Sequence, residues 1–244
     1  MKATQVEFRL RLVILLAVYF IGFYAPWLRF GATAPATTAW LAISTTLALW
    51  HWLPLAQASL LVTGLAILCS FVGAALRVWG TAYLGSGVVH SQHMQAGQVM
   101  AAGPYRYVRN PLYLGSWILS LGISILMPPS GALVFLVLEG FFYFRLILGE
   151  EAFLAGQQGE SYLEYRRAVP RLIPALRPRI ASSGARPQWF TSLAAEAFPV
   201  IYAVCLAALA WEYNPRLLIR CLLVAFGFSL VTRALLPRTP APAE

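Results

Sequence analysis

The chain has 244 residues, of which 59% are hydrophobic and 11% charged, and it carries a net charge of +9 at pH 7. So low a charged fraction excludes an ordinary soluble domain, where about a quarter of residues are charged. It also removes nucleic acid as the reason for the positive balance. The composition places the chain in a bilayer, as an all-α, polytopic, multi-pass helix bundle.

Seven apolar runs, each near the ~20 residues that cross a hydrocarbon core, read as transmembrane helices: Leu12 to Leu28, Ala39 to Gln57, Ala58 to Leu76, Pro111 to Met127, Gly131 to Phe144, Ser192 to Trp211 and Leu217 to Leu235. The first also has signal-peptide features, with Lys2, Arg9 and Arg11 ahead of it and small residues around Ala32 to Ala36. Its 17 uncharged residues exceed the usual 7–15 of a signal core, and Pro35 crowds the cleavage point, so a permanent span is expected. The sequence divides into N-terminal spans over 1–57, a core over 58–176, a Pro/Arg/Ser linker over 177–191, and a C-terminal hairpin and tail over 192–244.

Alternation of seven spans, with the loop of Arg106 and Arg109 in the cytosol, puts 13 of the 18 Lys and Arg inside and the N-terminus outside. Lys2, Arg9 and Arg11 argue locally against that N-terminal placement. Cys69, Cys205 and Cys221 fall within apolar runs, where they act as small hydrophobes. His90 and His93 are too few to hold a metal.

Two polar stretches are long enough for chemistry, Arg77 to Asn110 and Arg145 to Gln188. The fourth and fifth runs form a hairpin through "MPPSG", so both stretches emerge on one membrane face. In the first, "GPYRYVRNPLYLG" (103–115) places Asn110 before Pro111. Asparagine is a favoured N-cap, and proline is tolerated at the first helical position. A helix start with free N–H groups binds carboxylate or phosphate. Arg106 and Arg109 add charge, and Tyr105, Tyr107 and Tyr113 add faces for a base or a cation. The same residues also suit an interfacial anchor with no ligand.

In the second stretch the fifth helix continues past the membrane and presents Glu150 and Glu151 at its exit. From Phe153 to Val169 the apolar residues recur at helical spacing, which reads as an interfacial amphipathic helix with Arg166 and Arg167 toward headgroups. Glu139 is a carboxyl inside a span, serving either function or helix-to-helix hydrogen bonding.

The motif at 103–115, followed by "EE" at 150–151 and "GESYLEYRRAVPRLIP", resembles the isoprenylcysteine carboxyl methyltransferase family, related to the phospholipid methyltransferases, over roughly Leu60 to Leu176. The resemblance implies S-adenosyl-L-methionine as methyl donor, in a pocket between the loop before the motif and the helix after the last core span. It implies cofactor contacts at His90, Gly97, Gln98, Val99, Met100, Tyr105, Asn110, Pro111, Leu112, Tyr113 and Glu150, with Arg109 and Glu150 as catalytic residues. The family's substrate arginine falls at Leu146 here, with Arg145 adjacent, and its usual histidine is replaced by Asn110. Both departures bear on the acceptor.

The expected activity is methylation of a lipid-like acceptor at the cytosolic face, most like prenylcysteine carboxyl O-methylation, with membrane lipids as partners. Phospholipid or amphiphile N-methylation, a sterol-type NADPH-dependent reductase and a non-enzymatic scaffold or transporter are the alternatives.

Overall fold

A computed structural model describes residues 2–24, 37–84, 101–212 and 215–235. His90, Gly97, Gln98, Val99 and Met100 lie outside the described residues. Among those described there are ten α-helices and one 3-10 turn, with no strand.

Helices α1 (Gln5–Arg9) and α2 (Arg11–Tyr24) follow a capping box in which Thr4 and Glu7 satisfy each other's backbone N–H groups. Helix α3 (Ala39–Leu49) is capped by Thr38, and α4 (Leu55–Leu84) follows a turn in which His51 has φ 57°. After the 3-10 turn Gly103–Arg106 come α5 (Pro111–Ser124), α6 (Pro129–Gln158) and α7 (Glu160–Ala168). Helices α8 (Trp189–Ala195), α9 (Ala197–Glu212) and α10 (Pro215–Leu235) complete the chain.

Among the described residues, α4 and α6 are long and apolar enough to cross a membrane, and α8 with α9, bent by 68°, makes a third if counted as one span. Helices α2 and α5 have 14 residues each. At 1.5 Å per residue that length reaches about 21 Å, against ~30 Å of hydrocarbon. The described residues therefore show an apolar bundle with two or three full spans, and the expected seven are not confirmed. The boundary set at 57/58 also falls inside α4, because the chain turns at 50–54 and is helical from Leu55.

Helices α4 and α5 cross at small residues. A Cβ on Gly73 would run into the backbone of Gly115 and Leu119, and one on Gly122 would meet Ser70 and Ala66. Small side chains of this kind let membrane helices approach closely. Helix α2 lies along α6, with the Tyr19 and Phe135 rings 4.6 Å apart. The core between these helices holds Leu119, Ile123, Met127 and Phe135, and α9 adds Tyr202, Ala203 and Leu206 to it.

Helix α3 does not run alongside the hairpin. Its first amides donate to the α5–α6 turn, Ala39 N to Met127 O at 2.7 Å and Trp40 N to Ile125 O at 2.9 Å, and Trp40 Nε1 donates to Thr63 Oγ1 near the start of α4. At the opposite end, Ala3 N donates to Arg145 O at 3.0 Å. Residues 2–9 thus sit at the end of α6 that carries Glu150. This reverses the N-terminal placement obtained by alternation, which fails when one apolar run lies beside a turn instead of crossing. Lys2, Arg9 and Arg11 now share an end with Arg106 and Arg109.

Two further segments differ from expectation. Gly159, at φ 58°, ends α6 and splits the run over 153–169. The Tyr162, Tyr165 and Val169 side chains then pack on Leu154, Ala155 and Ile180, so the apolar side of α7 is covered by the chain itself. The stretch over 177–191, expected as a linker, is part of a bonded strap. Ala175 N, Arg179 N and Ser183 N donate to Tyr107 O, Arg106 O and Ala101 O at 2.8–2.9 Å, and Gln188 N donates to Ala82 O.

Candidate functional site

The loop ahead of α5 is shaped by Gly103, whose φ is 53° and whose missing Cβ leaves room for the Tyr83 ring. Pro104 is the second residue of the 3-10 turn, which carries Tyr105 inward to 7% exposure. The strap holds the loop from outside. Besides its backbone bonds, Arg106 Nε donates to Ile180 O at 2.9 Å and Arg109 N to Pro170 O at 2.9 Å. Arg109 Nη1 donates to Arg166 O at 3.0 Å, which adds α7 to the clamp.

Asn110 occupies the N-cap position of α5 and Pro111 its first turn, but the asparagine side chain makes no capping bond. Its Nδ2 donates instead to Glu151 Oε1 at 3.3 Å and Arg171 O at 3.2 Å. The first-turn N–H groups of α5 keep their positive end, while the amide ties that helix start to the exit of α6. Three residues on, Tyr113 OH donates to Glu150 Oε1 at 2.6 Å.

The two adjacent glutamates have different surroundings. Arg171 grips Glu151 through Nε at 3.1 Å to both oxygens and Nη2 at 2.9 Å, and Arg109 Nη2 lies 3.4 Å away. The Glu151 side chain is 4% exposed, so these cations balance a buried charge. Glu150 is partly exposed, with Tyr113 bonded to one oxygen and Arg11, at the start of α2, within electrostatic reach. The hydrogen bonds from Arg171 to Glu151 hold the Arg171 guanidinium charged more firmly than usual. Desolvation lowers the pKa of Arg109, partly offset by Glu151. Burial pushes the Tyr105 phenol up, which keeps it neutral.

The expected substrate pair is turned elsewhere. Arg145 Nη2 donates to both Glu7 oxygens at 2.8 Å, fastening α1 to α6. Leu146 is wholly buried with Phe8 and Phe142, against Tyr113 and Tyr143. Pro111 is buried, while Leu112 and Tyr113 are partly so at the helix start.

Between α5 and α6, a cavity of about 320 Å³ is lined by Tyr113, Leu114, Trp117, Gly140, Tyr143, Phe144, Ile147, Leu172 and Ile173. Its wall is apolar except for the two phenols. Both phenols are anchored: Tyr113 on Glu150, and Tyr143 OH on Glu139 Oε1 at 3.0 Å, which also accepts from Ser120 Oγ at 2.9 Å. Trp117 and Phe141 beside it remain 38% and 48% exposed, so this is the lateral side of the hairpin.

Three residues important here escaped the sequence reading. Arg171 had no short-range partner to reveal it, and Arg11 reaches Glu150 only through the fold. Arg77 forms a bidentate pair with Glu196, Nε to Oε2 at 2.7 Å and Nη2 to Oε1 at 3.0 Å, while its Nη1 donates to Ser116. Thr81 also donates to Glu196, at 2.8 Å. A lone acidic residue inside an apolar run and a basic residue at the edge of another were the available signal for that pair.

A donor bearing a cation and a carboxylate fits these groups. Glu150 offers a partly exposed carboxylate, α5 offers uncapped amides beside Arg109, and the buried Tyr105 hydroxyl and Arg109 Nε have no hydrogen-bond partner among the described residues. Buried polar atoms of this kind call for a partner.

Residues 58–161, fewer than half of the chain, match the family model for phospholipid methyltransferase. The chain is 40% identical over 93 residues to the protein-S-isoprenylcysteine O-methyltransferase of Schizosaccharomyces pombe, a match covering 37% of this chain and 39% of that protein. It is 30% identical over 91 residues to the same-named protein of Xenopus laevis, covering 37% and 32%. It is 41% identical over 70 residues to the methanethiol S-methyltransferase of Crocosphaera subtropica, covering 29% and 27%. The chain thus spans about two fifths or less of the curated relatives it matches. No solved structure matches. The matched segment contains the motif at 103–115 and both glutamates, so the resemblance seen in those residues is shown.

Proposed function

We propose, from the premise that residues 58–161 are a membrane methyltransferase segment, that the protein is an integral membrane methyltransferase using S-adenosyl-L-methionine on a lipid-like acceptor, with its site at the cytosolic face. The observation that carries the reading is the joining of the first turn of α5 at Tyr113 to Glu150 of α6 by a 2.6 Å hydrogen bond beside an uncapped helix start. Bound there, the donor would supply an electrophilic methyl on a sulfonium.

The chain's own groups then have distinct tasks. Glu150 holds a cation, Tyr113 orients that carboxylate, and the first turn of α5 with Arg109 holds a carboxylate. Tyr105 supplies a neutral hydroxyl. The remaining expected contacts, His90 and Gly97 to Met100, rest on the resemblance alone. The apolar groove between α5 and α6 accommodates the acceptor's hydrocarbon, leaving its nucleophile toward Glu150. Catalysis by such a site is chiefly positioning, worth up to ~7–11 kcal/mol. Placing Lys2, Arg9 and Arg11 with Arg106 and Arg109 strengthens the cytosolic assignment of this end.

A prenylcysteine carboxylate is the first acceptor to test, because two of the relatives carry that name. A small thiol is the second reading, supported by the methanethiol relative and by the apolar Leu146 where the family's substrate arginine falls. A carboxylate enters the reaction already ionised, whereas a thiol must first give up a proton. Labelled donor, purified protein and a panel of prenylcysteine, phospholipid amine and alkyl thiol acceptors decide between them. Labelling of prenylcysteine alone confirms the first reading, labelling of thiols alone the second, and labelling of none overturns both.

A further inference from the structure

The strap carries two large apolar side chains that are left exposed: Ile173 is 83% exposed and Leu176 101%. Both sit on backbone fixed by the bonds at Ala175 and Arg179 and by the Arg171–Glu151 clamp. Neither can retreat into the core without breaking that pairing. Exposed Arg177 and Arg179 follow directly after them, and from Tyr165 to Ala195 the sequence has six arginines and no acidic residue.

Position supplies the second argument. Ile173 and Leu172 close the upper wall of the groove that Trp117 and Phe144 line lower down. Below them, Leu133, Val137 and Phe141 of α6 continue an exposed apolar stripe toward the other end of the hairpin. The exposed side chains of the strap therefore stand where the lipid-facing side of α6 meets its polar exit. An exposed apolar pair next to exposed cations at that level matches the acyl–headgroup boundary of an anionic leaflet.

We propose that residues 172–179 seat in the anionic leaflet at the groove mouth, Ile173 and Leu176 entering the acyl region and Arg177 and Arg179 binding lipid phosphates. The strap then forms the rim of a lateral port. The seating stands on its own geometry, while the port rests on the groove being the acceptor site as proposed above.

The test uses the full chain with Cys69, Cys205 and Cys221 replaced by serine and L176C carrying an environment-sensitive fluorophore. It is reconstituted in phosphatidylcholine vesicles with and without about one third phosphatidylglycerol. Expected are shielding of the label from aqueous iodide and quenching by nitroxides on lipid tails, both stronger in the anionic vesicles. In the R177Q/R179Q background each lost cation should weaken the anionic preference about fivefold. Equal iodide access in vesicles and in detergent, with an unchanged melting temperature, overturns the proposal. Turnover separates the two readings. L176N should raise KM for a bilayer-resident acceptor and leave kcat and a water-soluble acceptor unchanged; a shielded label with unaltered KM keeps the seat and removes the groove as acceptor port.

Discussion

At the scale of single residues, the proposed function divides binding from folding between two neighbouring carboxylates. Glu150 takes one hydrogen bond from Tyr113, whereas Glu151 is buried under Arg171, Arg109 and Asn110. Glu150→Gln keeps an acceptor for Tyr113 and loses only the charge, so the fold should persist. Binding of S-adenosylhomocysteine, measured by calorimetry, should weaken by about 10- to 100-fold, the range of a charge-assisted hydrogen bond. Glu151→Ala strands the buried Arg109 and unpairs the partly exposed Arg171, and should lower stability by up to about 3–5 kcal/mol, read from thermal melting in detergent. Equal effects of the two variants on melting would refute the division. The pair at 150–151 was legible in the sequence as an acidic exit opposite a basic helix start. That Glu151 is the one held in ion pairs was not, because that depends on Arg171, a partner 20 residues away.

At the scale of elements, the hairpin was readable because its signals are local: Pro111 after Asn110, Pro129 after a short turn, and uninterrupted apolar residues between. The strap was not. Its contacts are backbone bonds to 101–107, and main-chain pairing leaves no imprint in composition beyond the Pro/Arg/Ser content that suggested a linker. The lengths of α2 and α3 were missed for a related reason, since an apolar run marks burial without saying whether the helix crosses. Helix α1 shows the same limit: its capping box is written in Thr4 and Glu7, but its docking on Arg145 is not. The strap gives a direct prediction. In hydrogen exchange, the amides of Arg109, Ala175, Arg179 and Ser183 should be protected although none is helical. Gly103→Ala, which strains a positive φ and presses on Tyr83, should cost about 1–3 kcal/mol and release those four amides together. Release of one amide alone would show that the strap and loop are not one unit.

At the scale of the molecule, the C-terminal helices read from the sequence as an addition to the core, yet they bring Glu196 to Arg77 beneath the start of α5. Glu196 is 1% exposed, and the helix is bent at it. Arg77 spans three elements, since its third nitrogen binds Ser116 one turn below Leu112. A buried pair of this kind binds elements together without necessarily adding stability over an apolar substitute, because desolvation of both charges offsets their attraction. The single and double substitutions should therefore differ in sign of interaction. Glu196→Leu strands the arginine and should cost about 3–5 kcal/mol in melting, whereas Arg77→Met with Glu196→Leu should recover most of that loss. If the hairpin also positions the site, the recovered double variant should still bind S-adenosylhomocysteine, but more weakly than the parent, because Ser116 and the turn above it have lost the guanidinium that fixed them. A double variant that melts no higher than Glu196→Leu alone would mean that the pair is not coupled, and the C-terminal helices would then owe their place to Tyr202, Ala203 and Leu206 in the apolar core.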